Sequence, residues 1–284
     1  MHSASTRPAE RLFTVAVWTA AGAVAAVFAW MLADLVAAGA ARLSWSFLVA
    51  APENAGRSGG IGPILVSTLL ILAVAIAAAV PLGLGTAVWL AEFARRGSRA
   101  ARRVRLALDV LAGVPSIVFG LFGNALFSVW LGLGFSILSG GLTLACMVLP
   151  ILIRSAEMGL AAVPEDWRRG AAALGLTRAA ALWHVILPAA APALSAGLML
   201  GIGRAMAETA ALIFTSGYVD RLPGSLMDSG RALAVHIYEL SMNVTGGDGN
   251  AYASALVLIA LLLVVNGLAA LASERWLGRR IVTS

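Results

Sequence analysis

Six apolar runs constrain this chain more than any other feature, because each is about as long as a bilayer core of about 30 Å requires of a helix. They cover residues 12–38, 64–91, 106–131, 136–153, 191–215 and 252–271. In hydrocarbon the backbone must satisfy its own hydrogen bonds, so only helices and closed barrels cross. No stretch alternates with the two-residue period of a barrel strand. The expectation is an all-α integral membrane protein with six transmembrane helices, forming a single domain over residues 1–284. Composition agrees: 60% of the residues are hydrophobic and 12% are charged, whereas soluble domains are about a quarter charged.

Orientation follows from arginine. The chain has no lysine, so all twenty basic residues are arginine. With both termini cytoplasmic, fifteen fall inside: Arg7, Arg11, Arg95, Arg96, Arg99, Arg102, Arg103, Arg105, Arg154, Arg168, Arg169, Arg178, Arg275, Arg279 and Arg280. Four fall outside (Arg42, Arg57, Arg221 and Arg231), and Arg204 lies within the fifth run. This asymmetry fits the positive-inside rule for six spans. The net charge of +6 therefore describes membrane topology. Nucleic-acid binding would need a soluble basic face, and none is apparent. The six arginines of residues 93–105 are expected to serve topology and contact with anionic lipid.

The first run has Arg7 and Arg11 before it and Ala38-Gly39-Ala40 after it, as a signal peptide would. It is much longer than the roughly 7–15 apolar residues of such a leader, so it is expected to stay as the first transmembrane helix. Cys146 is the single cysteine and makes neither an intramolecular disulfide nor a metal cluster. No metal site and no catalytic residue is expected.

The loops divide the labour. Residues 44–63 and 218–250 lie outside, and 229–242 has the pattern of a short helix. On the inside, residues 157–188 form a charged loop between two apolar runs. Residues 171–174 should be helical, and Gly175 can adopt the left-handed conformation that ends a helix. Thr177 can cap a second helix running to about Val185, which Pro188 should then break. A short helix pair projecting from a membrane suits a groove on another protein.

Periodicity makes the fifth run unusual. At about 100° per residue, Gly197, Gly201, Arg204, Glu208 and Thr215 fall on one narrow stripe of a continuous helix. Gly197 and Gly201 form a GxxxG pair that allows close helix approach. Arg204 and Glu208 stand at the i, i+4 spacing of an ion pair. Charges inside a span face protein or a watery cavity, so the stripe should face a translocation path or a partner subunit. The pair could also be structural, with Glu208 holding Arg204 while Arg204 contacts a passing anion. Asp34, Asp109 and His184 receive no transport role.

Two function classes remain. One is a permease driven by ATP bound elsewhere, since a P-loop needs a lysine that this chain lacks. The other is a proton-coupled secondary transporter with Glu208 as relay. Such transporters often carry paired internal repeats with broken helices, and no such repeat is visible. A membrane scaffold without transport is a third, more distant option.

The inner loop bears a specific resemblance. Permease subunits of ABC importers carry Glu-Ala-Ala, three residues, Gly, nine residues, Ile, one residue, Leu-Pro. This chain places Ala171, Gly175, Val185, Leu187 and Pro188 at that spacing, with Arg169 and Gly170 where Glu and Ala are usual. GGIGPILVSTLL from Gly59, PLGLGTAVWLAEFA from Pro81, GVPSIVFGLFG from Gly113, GRAMAETAALIFTSG from Gly203 and LAVHIYELSMN from Leu233 are similar to segments of phosphate-uptake permeases of the PstA type.

The resemblance implies a type I, MetI-like permease fold in a bacterial inner membrane. It implies that Trp167, Arg168, Arg169, Ala171, Gly175, Leu187 and Pro188 belong to a coupling loop that docks on an ATP-binding subunit. Arg204, Glu208, Thr209 and Thr215 would line the substrate path, and Gly197 and Gly201 would pack helices. The implied partners are a PstC-like second permease, two PstB-like ATP-binding subunits and a PstS-like extracytoplasmic phosphate-binding protein. ATP and Mg would bind the partner ATPase, with no cofactor in this chain. Sulfate or molybdate, as similar oxyanions, are the alternative cargoes.

Overall fold

The computed structural model describes residues 8–95 and 97–281, with residues 8–9 and 272–281 as backbone only. Arg7 and Arg96 lie outside the described residues, as do the side chains of Arg275, Arg279 and Arg280.

The apolar runs are mostly helical, with breaks inside the third and fifth. Five helical stretches are long and apolar enough to cross a membrane: Glu10–Arg42, Gly62–Phe93, Ile137–Ala161, Arg178–Met206 and Asp248–Leu271. They are built from α1 (Pro8–Gly39), α3 (Gly62–Val88), α6 (Ile137–Ala162), α9 (Leu187–Met206) and α12 (Asp248–Ile281). The short α2 (Trp45–Val49) precedes a two-stranded hairpin, β1 (Pro52–Glu53) with β2 (Ser58–Gly59). α11 (Leu233–Met242) occupies the expected short helix in the second outer loop.

The sixth crossing differs from its expected form. Periodicity places one helix over residues 106–131; instead α4 (Arg99–Ala112) and the segment Ser116–Trp130 meet at 107°. The second piece comprises α5 (Ser116–Gly123) and a π-helical turn Asn124–Trp130. Gly113-Val114-Pro115 makes the corner. Proline has no N–H for the helical ladder and pushes its preceding residue toward extended conformations, and Pro115 itself is extended at ψ 143. Six spans therefore stand when this bent pair counts as one.

Small residues set the helix contacts. A side chain at Gly141 would collide with Val74, and one at Gly83 would press on Leu152, so α3 and α6 pack side by side in the same direction. On the other flank Gly159 meets Ala193, Gly197 meets Ser155 and Gly201 meets Leu152, so α9 runs antiparallel to α6. In lipid there is little hydrophobic drive between helices, and close backbone approach through small residues supplies the attraction. The expected packing role of Gly197 and Gly201 is what their contacts with α6 provide. A central core of Ile71, Ala75, Leu144, Val148, Ile202 and Val235 fills the middle of the bundle.

One end is laced by polar contacts. Arg42 donates to Asn250 Oδ1 at 2.8 Å, and Asn250 Nδ2 donates to the Gly56 carbonyl at 2.8 Å. These bonds join the end of α1, the hairpin and the start of α12. The Leu233 amide donates to Thr68 Oγ1 at 2.8 Å, tying α11 to α3. The other end carries the loop between α6 and α9, toward which α1 and α12 also extend their terminal ends. α1 touches the bundle through Gly39 against Tyr252 and Leu256 of α12, yet none of its apolar window is buried, and Trp18, Phe28 and Trp30 are exposed.

Candidate functional site

The inner loop folds as a braced projection. α7 (Glu165–Ala173) follows Pro164, which supplies no amide to the ladder but preorganises the start of a helix. Glu165 and Asp166 occupy its first turn, where the helix dipole favours negative charge. Gly175 has φ +76, and the Leu176 amide donates to the Ala171 carbonyl at 3.0 Å, closing the helix as expected. Thr177 Oγ1 then accepts from the Ala180 amide at 3.2 Å and caps α8 (Arg178–Ala181).

Pro188 does not break the second helix. Arg178–Met206 runs continuously because the ladder widens into a π-helical turn at Leu182–Ile186 just before the proline. The Leu187 amide bonds the Leu182 carbonyl, five residues back. That slip absorbs the missing donor and steric bulk of Pro188. Leu187 is buried in the helix junction.

Arg168 is the brace. Its guanidinium donates to both oxygens of Glu92, at 2.6 and 3.2 Å, and to the carbonyls of Val163 at 2.5 Å and Leu160 at 2.8 Å. The Glu92 carboxylate, foremost by its hydrogen bond, holds Arg168 still more firmly protonated than an ordinary guanidinium. One side chain thus joins the π-helical end of α3, Trp89–Phe93, to the end of α6 and to α7. Glu92 carries no expected role from sequence, although a lone carboxylate beside a run of arginines was a usable signal. A second brace joins α4 to α6: Arg105 bonds Glu157 at 2.7 Å, and Arg154 bonds Asp109 at 2.5 Å and Glu157 at 3.3 Å. Asp109 is therefore one arm of a cross-helix network.

The outward surface of the loop mixes apolar side chains with charges of both signs, Glu165 and Asp166 beside Arg169. Leu174 is 82% exposed, and Trp167 and Trp183 are about half exposed. Arg169 stands out, its guanidinium only 3.9 Å from Asp166. Ala171 is buried beneath the helix. Beside α7 a cavity of about 350 Å³ is lined by Glu92, Phe93, Arg168, Leu176, Arg178 and Ile186, among others.

Gly175 gives a direct test. A Cβ there meets nothing within 4 Å, so space is free and only backbone conformation resists substitution. Non-glycine residues at positive φ cost roughly 1–2 kcal/mol, least for Asn and most for β-branched side chains. Gly175→Val is expected to unseat the end of α7 while Gly175→Asn leaves it in place. Protease sensitivity of the loop in purified protein checks this. Equal sensitivity of the two variants would contradict the turn's role.

The fifth run departs from the expected continuous helix. α9 ends at Met206, the residues 207–209 are not helical, and α10 (Ala210–Ile213) is a single turn. The stripe therefore splits. Gly197, Gly201 and Arg204 remain on α9, and Glu208 and Thr215 follow the break. Arg204 and Glu208 do not pair: no ion pair links them, and among the described residues no carboxylate lies within ion-pair distance of Arg204. Its Nη2 approaches Met147 Sδ of α6 at 3.9 Å, and the side chain is otherwise exposed.

Glu208 is 6% exposed, and its Oε1 accepts from the Ala211 amide at 3.2 Å, so it caps α10. Thr215 is fully buried, with its hydroxyl donating to the Ala211 carbonyl. Thr209 sits at the break, half-buried. Just beyond the break, Gly120 of α5 lies against Ala211 and Phe214. The structure thus brings Glu208, Thr209 and Thr215 together around a helix interruption and leaves Arg204 beside it, unpaired and open.

Comparison with known proteins adds a second line. Residues 79–282 match the family described as binding-protein-dependent transport system inner membrane component. The chain is 31% identical over 291 aligned positions to a probable ABC transporter permease protein, YqgI, of Bacillus subtilis, covering 96% of each chain. It is 36% identical to the phosphate transport system permease protein PstA 1 of Mycobacterium tuberculosis, covering 75% of this chain and 70% of that one. Its fold resembles a chain of the inward-facing MetNI methionine ABC transporter at TM-score 0.54 and 16% identity, covering 78% of this chain and 94% of that one.

Proposed function

The chain belongs to the family of binding-protein-dependent transport system inner membrane components, and from that premise we propose that it is a permease subunit of an ATP-driven importer of inorganic phosphate. It forms the translocation path with a second permease, and separate ATP-binding subunits engage α7. An extracytoplasmic binding protein delivers the anion at the end laced by Arg42 and Asn250. The relatives named for phosphate transport support the cargo.

One observation carries the anion reading: Arg204 is an arginine inside a span, exposed on this subunit and, among the described residues, without a carboxylate partner. A bare guanidinium against lipid costs several kcal/mol, so it faces water or a partner subunit. A fixed guanidinium offers paired donors and charge to a tetrahedral oxyanion. The permease makes and breaks no bond. Its part is to hold two conformations whose balance the partners shift. The brace from Arg168 to Glu92 is what lets a force on α7 reach α3 and α6 together.

The inner loop and both chain ends face the cytoplasm in this reading. Reporters placed after Arg99 and Arg280 should give a cytoplasmic signal, and insertions near Gly56 and Gly247 an external one. An external signal at Arg99 overturns the orientation. Assembly is tested by tagging the chain in cells that express a candidate ATP-binding subunit and second permease. Both should co-purify in detergent, and recovery of the chain without them counts against a permease role.

A further inference from the structure

α4 has two faces. Its inner face is spoken for: Ala101 and Leu108 are buried against the core of Leu90, Ile153, Ala156 and Leu160, and Arg105 and Asp109 are held by Glu157 and Arg154. Its outer stripe carries Arg99, Arg102 and Arg103 in the first turns and Leu106 and Val110 beyond them. All five are exposed, Leu106 and Val110 at 62% each. At about 100° per residue these five fall within about 100° of one another. Among the described residues, no carboxylate lies within ion-pair distance of Arg99, Arg102 or Arg103.

The position is as telling as the composition. α4 begins just after the π-helical end of the α3 span and is set across α5 by the 107° bend. It lies at the end of the bundle that carries α7. A basic, amphipathic helix that follows the end of one span and turns sharply into the next piece suits the headgroup boundary of a bilayer. The order along the stripe is three guanidiniums and then branched aliphatic side chains, which repeats the order of a phospholipid, phosphate first and acyl chain next. A free phosphate would use the arginines and leave Leu106 and Val110 unexplained.

We infer that the outer stripe of α4 is a binding site for an anionic phospholipid, with the headgroup phosphate on Arg99, Arg102 and Arg103 and an acyl chain along Leu106 and Val110. This site needs the membrane and nothing from the transport reading. Arginine is suited to it, since its planar fork meets phosphate oxygens in pairs, and each basic residue near an anionic surface adds measurably to affinity.

The test is native mass spectrometry of the full chain, equilibrated in detergent with equimolar palmitoyl-oleoyl phosphatidylglycerol and phosphatidylcholine. The parental chain should retain phosphatidylglycerol preferentially. R102Q/R103Q should lower its occupancy at least about tenfold. R169Q/R178Q, which removes the same charge at the same end of the bundle, should leave it unchanged. A variant that keeps all the arginines, L106Q/V110Q, should weaken the long-chain lipid and leave dihexanoyl phosphatidylglycerol unaffected. Equal retention of the two lipids by the parental chain overturns the site. So does an equal loss in both arginine variants, or an unchanged long-chain lipid in L106Q/V110Q.

Discussion

Arg168→Ala is expected to abolish coupled transport while the chain still inserts and accumulates. The substitution removes four hydrogen bonds at once and leaves Glu92, only 14% exposed at its side chain, without its cation. Stranding one member of a largely buried pair costs about 3 kcal/mol, and here the loss falls on the joint between α3, α6 and α7. Uptake should drop at least about a hundredfold, with co-purification of the ATP-binding subunit strongly reduced. Arg168→Lys should recover little, because a point charge cannot meet two carboxylate oxygens and two carbonyls together. Arg169→Ala should be milder, since Arg169 is exposed and reaches only Asp166 within its own helix. Parental uptake by Arg168→Ala would show that α7 needs no brace.

The second large effect concerns Arg204 and Glu208, whose roles the helix break separates. Arg204→Gln keeps hydrogen-bonding capacity and removes the charge, so phosphate uptake should fall at least about thirtyfold with the complex intact. Glu208→Gln retains an oxygen that can accept from Ala211, and should reduce uptake modestly. Glu208→Ala uncaps α10 and loosens the interruption, with a stability loss of about 1 kcal/mol from the cap alone. The double variant R204Q/E208Q decides between independent roles and a hidden pair. Without an ion pair in the folded chain, it should stay as inactive as Arg204→Gln. Restored uptake in the double variant would mean that the two charges compensate one another in some working conformation.

The spans were legible because hydrophobic length alone specifies a crossing helix. The inner-loop turn was legible at single residues, since Gly175 and Thr177 have local conformational reasons to stand where they do. What escaped had longer-range causes. Pro115 lies in an apolar run whose mean hydropathy hides a corner. Pro188 is rescued by a π-helical turn that no local pattern announces. The wheel that placed Arg204, Glu208 and Thr215 on one stripe assumed a helix through Ala207, yet nothing there is a strong breaker. Just past the interruption, α5 packs on α10 through Gly120, a contact that spacing within the run does not announce. Glu92 and Arg168 are 76 residues apart, so their pairing had no signature in spacing. The same holds for Arg154 with Asp109.

The most direct measurement is uptake of radiolabelled phosphate and sulfate by proteoliposomes containing the reconstituted complex with its binding protein outside and ATP supplied to the ATP-binding subunits. Phosphate should accumulate only when both the binding protein and ATP are present. It should resist competition by excess sulfate and be lost with Arg204→Gln. Accumulation of phosphate without ATP, or of sulfate at the phosphate rate, would contradict the assignment of this chain as a phosphate importer's permease.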